Sequence, residues 1–513
     1  MFSYGKDLLT VGKAIQILHG SLVTTLSSEV RTKILQSQQY VENIVAKSEK
    51  VYGINTGFGI LCDTIISDSQ TKTLQYNLLR SHSVGVGKPI AKDLAKLMLI
   101  CKVQSLAKGF SGVNLATVER ILWHIENDVI PVVPEKGSVG ASGDLAPLSH
   151  LFLPLLGLGE VFDGNKIMPA TEILKKYNLA PIQLGAKEGL ALINGTQFIL
   201  AHAVMGVARL HHCLEVADVV GAISLEALMG SIKPFEARLH WIRPFRGNQL
   251  VAQRIYNLVK ESEVLKSHVD CERVQDPYSL RCMPQVHGAS RNAWLHLKQL
   301  TEIELNAVTD NPIIFGENDT ISGGNFHGQP LALPLDYAAL AAAEIGNISD
   351  RRCYLMIEGR FGLPRLLLKE TGLNSGFMIP QYTTAALVSE NKSLCFPASA
   401  DSIPTSLGQE DHVSMGAISG RKLHQVIDNL EYILAIEMLY ATQALEFRRP
   451  LRSTALVEDV VNQVRQQVAF ATEDRIFAED INTIHQLILS KSFKSLIQEY
   501  EKLNIGFEEF KLD

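Results

Sequence analysis

Two stretches of this chain can fold only as long helices. In "LDYAALAAAEIGNISDRR" (335–352) and "IDNLEYILAIEMLYATQALEFRR" (427–449), apolar residues recur at three- and four-residue steps, as at Leu430, Ile433, Leu434, Met438 and Ala441. That spacing stacks them along a helical face, and each stretch is long enough for about five turns or more. Alanine and leucine fill much of the remaining circumference, so each helix must be covered on most sides, within a bundle or by other subunits. An oligomer is expected on that ground. The chain has 513 residues, of which 46% are hydrophobic, enough for about two to four average domains or fewer large ones.

After residue 195 the sequence consists largely of such stretches, whereas the part before it is richer in Gly, Pro and Ser. Strand signals are few: "VIPVV" at 129–133, "KIMPA" at 166–170 and "NPIIFG" at 311–316. Strand and helix do not alternate over any length, which argues against a doubly wound sheet. The expected fold class is mainly α. A smaller N-terminal mixed α/β portion over 1–200 precedes a long helical bundle over 201–513, with a soft boundary near residue 200.

Residues 189–208, "GLALINGTQFILAHAVMGVA", carry no formal charge and approach the length of a bilayer span. They hold Asn194, Gln197 and His202, and Arg209, His211, His212, Glu215 and Asp218 follow at once, so a buried core helix is expected and no membrane span. With 48 basic and 54 acidic residues, net −6, the chain lacks the basic excess that nucleic acid or anionic membranes select. The seven cysteines, at 62, 101, 213, 271, 282, 353 and 395, form no C-x-x-C pair. Neither a disulfide framework nor a zinc ribbon is expected, and a reducing compartment fits. The N-terminus "MFSYGKDLLTVGKAI" has no uninterrupted apolar region and the C-terminus "EEFKLD" matches no retrieval or lipidation signal, so the cytoplasm is the expected location.

The stretch "GSVGASGDLAPLSH" places Gly137, Gly140 and Gly143 at every third position, the pattern of a backbone that bends sharply or approaches something closely. Read locally, it is a turn leading into a helix, with Asp144 beside the helix amides and Pro147 in the first turn. No lysine follows as a phosphate loop requires. A hydrolase nucleophile elbow needs Gly where Asp144 stands. The tripeptide Ala141-Ser142-Gly143 is left as a candidate reagent in its own right.

Other polar, glycine-dense loops interrupt the apolar chain: "VYGINTGFG" (51–59), "RSHSVGVG" (80–87), "INGTQ" (193–197), "VQDPYSLRC" (274–282) with "GGNFHGQP" (323–330), and "SIPTSLGQEDHVSMG" (402–416). Loops of this kind on a rigid helical frame are where chemistry tends to sit. Each has a plainer reading. Tyr52 is an aromatic anchor or a residue on a catalytic lid. Arg281 is a structural ion pair or a clamp for a carboxylate. His82 is a satisfied core histidine, Asn194-Gly195 a turn, and Glu410-Asp411-His412 a solvated face. No H-E-x-x-H or comparable spacing supports a metal site.

Together, "GSVGASGDLAPLSH", "YGINTGFG", "INGTQ", "QDPYSLRCMPQVHGA", "TDNPI", "GGNFHGQPLA" and "QEDHVSMG" resemble the aromatic amino acid ammonia-lyases, over about residues 50–420. The resemblance implies a long-helix bundle of the ammonia-lyase/fumarase-like superfamily, assembled as a homotetramer with each active site drawing loops from three chains. It implies that Ala141-Ser142-Gly143 cyclises and loses water to give 4-methylideneimidazol-5-one (MIO), an electrophile that needs no external cofactor. Glycine at 143 suits that closure, since its nitrogen must reach the Ala141 carbonyl.

By the same resemblance Tyr52 removes the substrate's β-proton and Arg281 clamps its carboxylate, with help from Asn194 and Gln275. Tyr278 orients the ring, Phe326 packs beside it, and His82 and Glu410 face the substrate side chain. Relatives acting on phenylalanine or tyrosine tend to carry Gln where Glu410 stands, so the implied substrate is L-histidine, eliminated to trans-urocanate and ammonia. The implied reaction has the α-amine add to the exocyclic carbon and leave the substrate on it; attack by the substrate ring first is the alternative order. The rivals are a tyrosine or phenylalanine ammonia-lyase or an aminomutase of the same family, and a helical scaffold whose loops are only turns.

Overall fold

The computed structural model describes residues 1–47, 51, 53, 54, 56, 68–164, 166–269, 273–502 and 505–512. Four long helices form its centre: Gln197–Ala227, Met283–Leu305, Gln329–Ile357 and Gly416–Glu446. The last two run along each other, and both pack against Gln197–Ala227. They hold the two stretches read from periodicity: Gln329–Ile357 extends beyond 335–352 at both ends, and Gly416–Glu446 starts before 427 but ends three residues short of 449. Helix Gln197–Ala227 has 27 of its 31 residues buried, so it is enclosed on all sides and its sequence is apolar all round rather than striped.

Charges inside this bundle come in bonded sets, as burial demands. The Glu437 carboxylate accepts from Ser224 Oγ at 2.7 Å, Ser349 Oγ at 2.5 Å and Arg352 Nη2 at 2.8 Å, joining three of the four helices. Asp218 accepts from His287 Nδ1 at 2.7 Å and Arg291 Nη2 at 2.5 Å. The N-terminal part is tied to the bundle by helix Lys92–Leu106, which packs on Gln197–Ala227. One hydrophobic core includes residues from Phe2 to Phe510.

The strands are short, and the three read from sequence are all present. Val129–Pro131 pairs antiparallel with Glu160–Asp163, which pairs in turn with Lys166–Pro169. Ile313–Gly316 forms a hairpin with Asp319–Ile321. Val86–Pro89 pairs with Pro134–Lys136, and the latter leads into the Ala-Ser-Gly loop. The charge-free stretch 189–208 is buried as expected, but it is two helices rather than one. Glu188–Ile193 stops at Asn194, and Gln197–Ala227 begins three residues on. Among the described residues no helix is long and apolar enough to cross a membrane.

Candidate active site

The three glycines of the loop bend as their spacing implies: Gly137, Gly140 and Gly143 have φ of +133°, +73° and +76°. Two of them also permit close approach. A Cβ at Gly143 would lie 2.1 Å from the Gly195 carbonyl oxygen, and one at Gly140 would lie 2.2 Å from Ser414 Oγ, so any other residue at either position collides. The loop is pinned from both sides. The Met415 amide donates to the Val139 carbonyl at 3.0 Å, and the Asp144 amide to the Gly195 carbonyl at 2.8 Å.

Asp144 corrects one local expectation. It is the cap residue of helix Leu145–Phe152 but makes no side-chain bond to that helix. Its carboxylate reaches instead to the start of helix Gln197–Ala227, accepting from the Phe198 amide at 2.9 Å and the Ile199 amide at 3.0 Å. Two free amides and the positive end of a buried helix make that the better partner. Burial pushes the Asp144 carboxyl up to about 7, opposed by the Ile199 and Phe198 amides.

Two groups converge on Ser142, Glu410 at its hydroxyl and Asn194 at its carbonyl. Its hydroxyl donates to Glu410 Oε1 at 2.8 Å, while Thr405 Oγ1 donates to Glu410 Oε2, also at 2.8 Å. Its carbonyl accepts from Asn194 Nδ2 at 2.7 Å. Asn194 sits in the break between two helices, and its Oδ1 is buried with no hydrogen-bond partner among the described residues. His82 ends helix Asp68–His82, where its Nδ1 faces the Leu78 carbonyl at 2.9 Å. Burial lowers its pKa, while the Leu78 carbonyl and the Glu410 charge act in the opposite direction.

A second group forms around the one-turn helix Tyr278–Arg281. Arg281 donates through Nε to the Asp276 carbonyl at 3.0 Å and through Nη2 to Gln275 Oε1 at 2.8 Å, and its guanidinium lies 4.6 Å from the centre of the Tyr278 ring. Tyr278 is 70% exposed. No hydrogen bond joins this group to Ser142, Asn194 or Glu410 among the described residues. Phe326 is half-buried on the loop before Gly328, whose absent Cβ leaves room for Ile199 and Ser414, so that loop is anchored near Gly140. Tyr52 lies outside the described residues.

Sequence reasoning passed over Thr405 and Lys102. Thr405 lies in a polar loop singled out as a whole but not residue by residue. Lys102 interrupts the apolar run "LMLICKVQSL", and that interruption was the available signal.

The family model for aromatic amino acid lyases matches residues 9–466. This chain belongs to the aromatic amino acid lyase family. It is thus a carbon–nitrogen lyase. It is 47% identical over 485 residues to a histidine ammonia-lyase of Sorangium cellulosum, covering 92% of this chain and 94% of that one. A histidine ammonia-lyase of Natranaerobius thermophilus is 45% identical over 489 residues, 95% of this chain and 96% of its own. Among solved structures, the histidine ammonia-lyase of Trypanosoma cruzi superposes with a TM-score of 0.90 at 41% identity, covering 98% of this chain and 96% of that one. The tyrosine aminomutase of Streptomyces globisporus gives 0.92 at 32% identity, with 98% and 99% covered.

The loop suits the ring that the family builds from such a tripeptide. Gly143 has the φ and the close neighbour that only glycine tolerates, and the Ser142 carbonyl already has a donor in Asn194. The Ser142 hydroxyl is held by a carboxylate rather than packed against carbon.

Proposed function

We propose that this lyase is a histidine ammonia-lyase that converts L-histidine to trans-urocanate and ammonia, using an MIO ring made from Ala141-Ser142-Gly143. One observation carries the choice of substrate: the Glu410 carboxylate stands 2.8 Å from the Ser142 hydroxyl. Once the ring forms and that hydroxyl is gone, the vacated carboxylate oxygen suits an imidazole N–H, whereas a phenyl ring would leave it without a donor. The ring, once formed, supplies an electrophilic carbon that takes up the substrate amine and makes it a better leaving group.

The chain's own residues do the rest. Asn194 Nδ2 donates to the Ser142 carbonyl oxygen and stabilises negative charge that develops there. His82 and Glu410 orient the imidazole. Arg281, with Gln275, holds the substrate carboxylate by parallel donors, Tyr278 orients the ring and Phe326 packs beside it. Tyr52 takes the β-proton.

The site is shared between subunits of a homotetramer. Within one chain no hydrogen bond among the described residues joins the Arg281 group to Ser142, and a neighbouring copy supplies it. Helix Gln329–Ile357 supports such assembly, because Leu333, Tyr337, Leu340, Glu344, Asn347, Arg351 and Tyr354 stand exposed on it at alternating steps of four and three. That is the seam spacing of packed parallel or antiparallel helices. The first 200 residues carry the catalytic loop and the later helices the assembly, and the enzyme works in the cytoplasm.

Three amino acids and a mass spectrum test the reading. Purified protein offered L-histidine, L-tyrosine and L-phenylalanine should produce the absorbance of urocanate and little coumarate or cinnamate, and its intact mass should fall short of the sequence by two waters. Turnover of tyrosine but not histidine would assign the tyrosine ammonia-lyase or aminomutase alternative, and full mass in active protein would remove the ring. Ser142→Ala should leave an assembled oligomer of full mass with activity down by about three orders of magnitude or more.

A further inference from the structure

We infer that Lys102 is a positioning residue for Asn194: its buried ammonium, bound to the carbonyls of Ala191 and Asn194, fixes the amide that donates to Ser142. The inference rests on the catalytic reading of Asn194 given above. Lys102 projects from the middle of helix Lys92–Leu106, where its neighbours are apolar, and is 1% exposed. Burying an ammonium is expensive unless something requires it there.

The nearby Lys187 shows what a structural lysine looks like in this protein. It is equally buried, but it meets the Asp310 carboxylate at 2.5 Å and the Ser111 carbonyl at 2.8 Å. Lys102 touches no carboxylate among the described residues. Its Nζ donates to the Ala191 carbonyl at 3.0 Å and to the Asn194 carbonyl at 2.9 Å. Burial pushes it down to about 7, with Asp310 and Asp144 acting against that change and Lys187 with it.

Those two carbonyls locate its task. Both belong to the C-terminal end of helix Glu188–Ile193, where carbonyls lack helical partners and the dipole is negative. The Asn194 amide nitrogen is held by the Leu190 carbonyl at 2.9 Å, and the next carbonyl, of Gly195, by the Asp144 amide at 2.8 Å. Lys102 secures the peptide between them. With that peptide fixed, the Asn194 side chain has one short path to the Ser142 carbonyl, which it meets at 2.7 Å. A donor aimed at developing charge is effective only if it need not reorganise during the reaction.

The test is a double-mutant cycle in the assembled enzyme with L-histidine, combining Lys102→Met with Asn194→Ala. Lys102→Met alone should lower kcat by about 10- to 100-fold with KM within about threefold. In the Asn194→Ala background the same change should cost less than about twofold, because the group it positions is gone. Intact mass is the second readout, and both single variants should keep the deficit of two waters.

Equal losses in both backgrounds would overturn the inference, since a general structural role adds where a positioning role does not. A Lys102→Met chain of full mass would overturn it too, because Lys102 would then serve ring formation. If Asn194→Ala turns over at the parent rate, the catalytic reading of Asn194 fails and this inference with it. Should Lys102→Met not fold, Lys102→Gln, which keeps one donor on a shorter stem, is read through the same cycle.

Discussion

Glu410 is where substrate choice turns in this site, because both of its oxygens are engaged as acceptors, one by Ser142 and one by Thr405. Ring formation removes the Ser142 hydroxyl and frees Oε1 for an imidazole, and Glu410→Gln, with one acceptor and one donor, loses the charge assistance to it. Activity on L-histidine should fall about 10- to 100-fold, the worth of a charged hydrogen bond, while turnover of tyrosine relative to histidine rises. Unchanged preference in a progress-curve comparison of the two substrates would remove Glu410 from that role. The loops of Ser142, Asn194 and Glu410 stand out in an apolar chain, but taken singly Asn194 reads as a turn and Glu410 as a solvated face, and it is the resemblance rather than the local pattern that joins them. The carboxylate of Asp144 was misplaced by the same local logic. Its partners, Phe198 and Ile199, lie more than fifty residues away, and only tertiary packing brings them to it.

Periodicity reads an element's apolar middle and loses its ends. Helix Gly416–Glu446 begins well before the stretch at 427, in "GAISGRKLHQV", where two glycines and few large apolar residues hide it. Those glycines answer to neighbours rather than to helix propensity. A Cβ at Gly416 would stand 2.8 Å from Ile199 Cδ1, and one at Gly420 would stand 2.7 Å from His202 Cβ, so the closeness of two helices outweighs the cost of glycine in one of them. The break at Asn194–Thr196 escaped periodicity for a related reason: the apolar pattern continues across it, and only the turn chemistry of Asn-Gly marks it. The exposed stripe on Gln329–Ile357 belongs to this scale as well. Leu340 is 50% exposed near the middle of the stripe, and Leu340→Arg places a charge where a second helix must pack. Light scattering should show a smaller oligomer and activity should fall with assembly, since the Arg281 group would no longer be delivered to Ser142. A tetramer of normal activity would show that the seam lies elsewhere.

The molecule as a whole buries histidines more readily than it neutralises them, and this fixes its response to acid. Burial lowers the pKa of His124 and His211 to about 4, that of His424 to about 3, and that of His202 well below the usual value. His82, His150, His212, His240 and His287 move the same way. Between the ordinary histidine value of about 6.5 and about 4, the unfolded chain binds protons at these sites that the folded chain refuses, so stability falls as pH falls through that window. Three carboxyls oppose them. Burial raises Asp144 and Glu226 to about 7 and raises Glu304 as well, so across the same window the folded chain holds protons there that the unfolded chain has shed. The nine histidines outnumber these three, and the net sign is loss of stability on acidification. Urea or thermal unfolding of the assembled protein should therefore show a lower midpoint at pH 5 than at pH 6.5; a flat or rising midpoint would refute the assignment. His124 isolates one contribution, since its Nδ1 faces the Val129 carbonyl at 2.8 Å and its Nε2 is buried with no hydrogen-bond partner among the described residues. Replacing it with glutamine removes one titrating group, and the slope of unfolding free energy against pH should flatten by about 1.4 kcal/mol per pH unit.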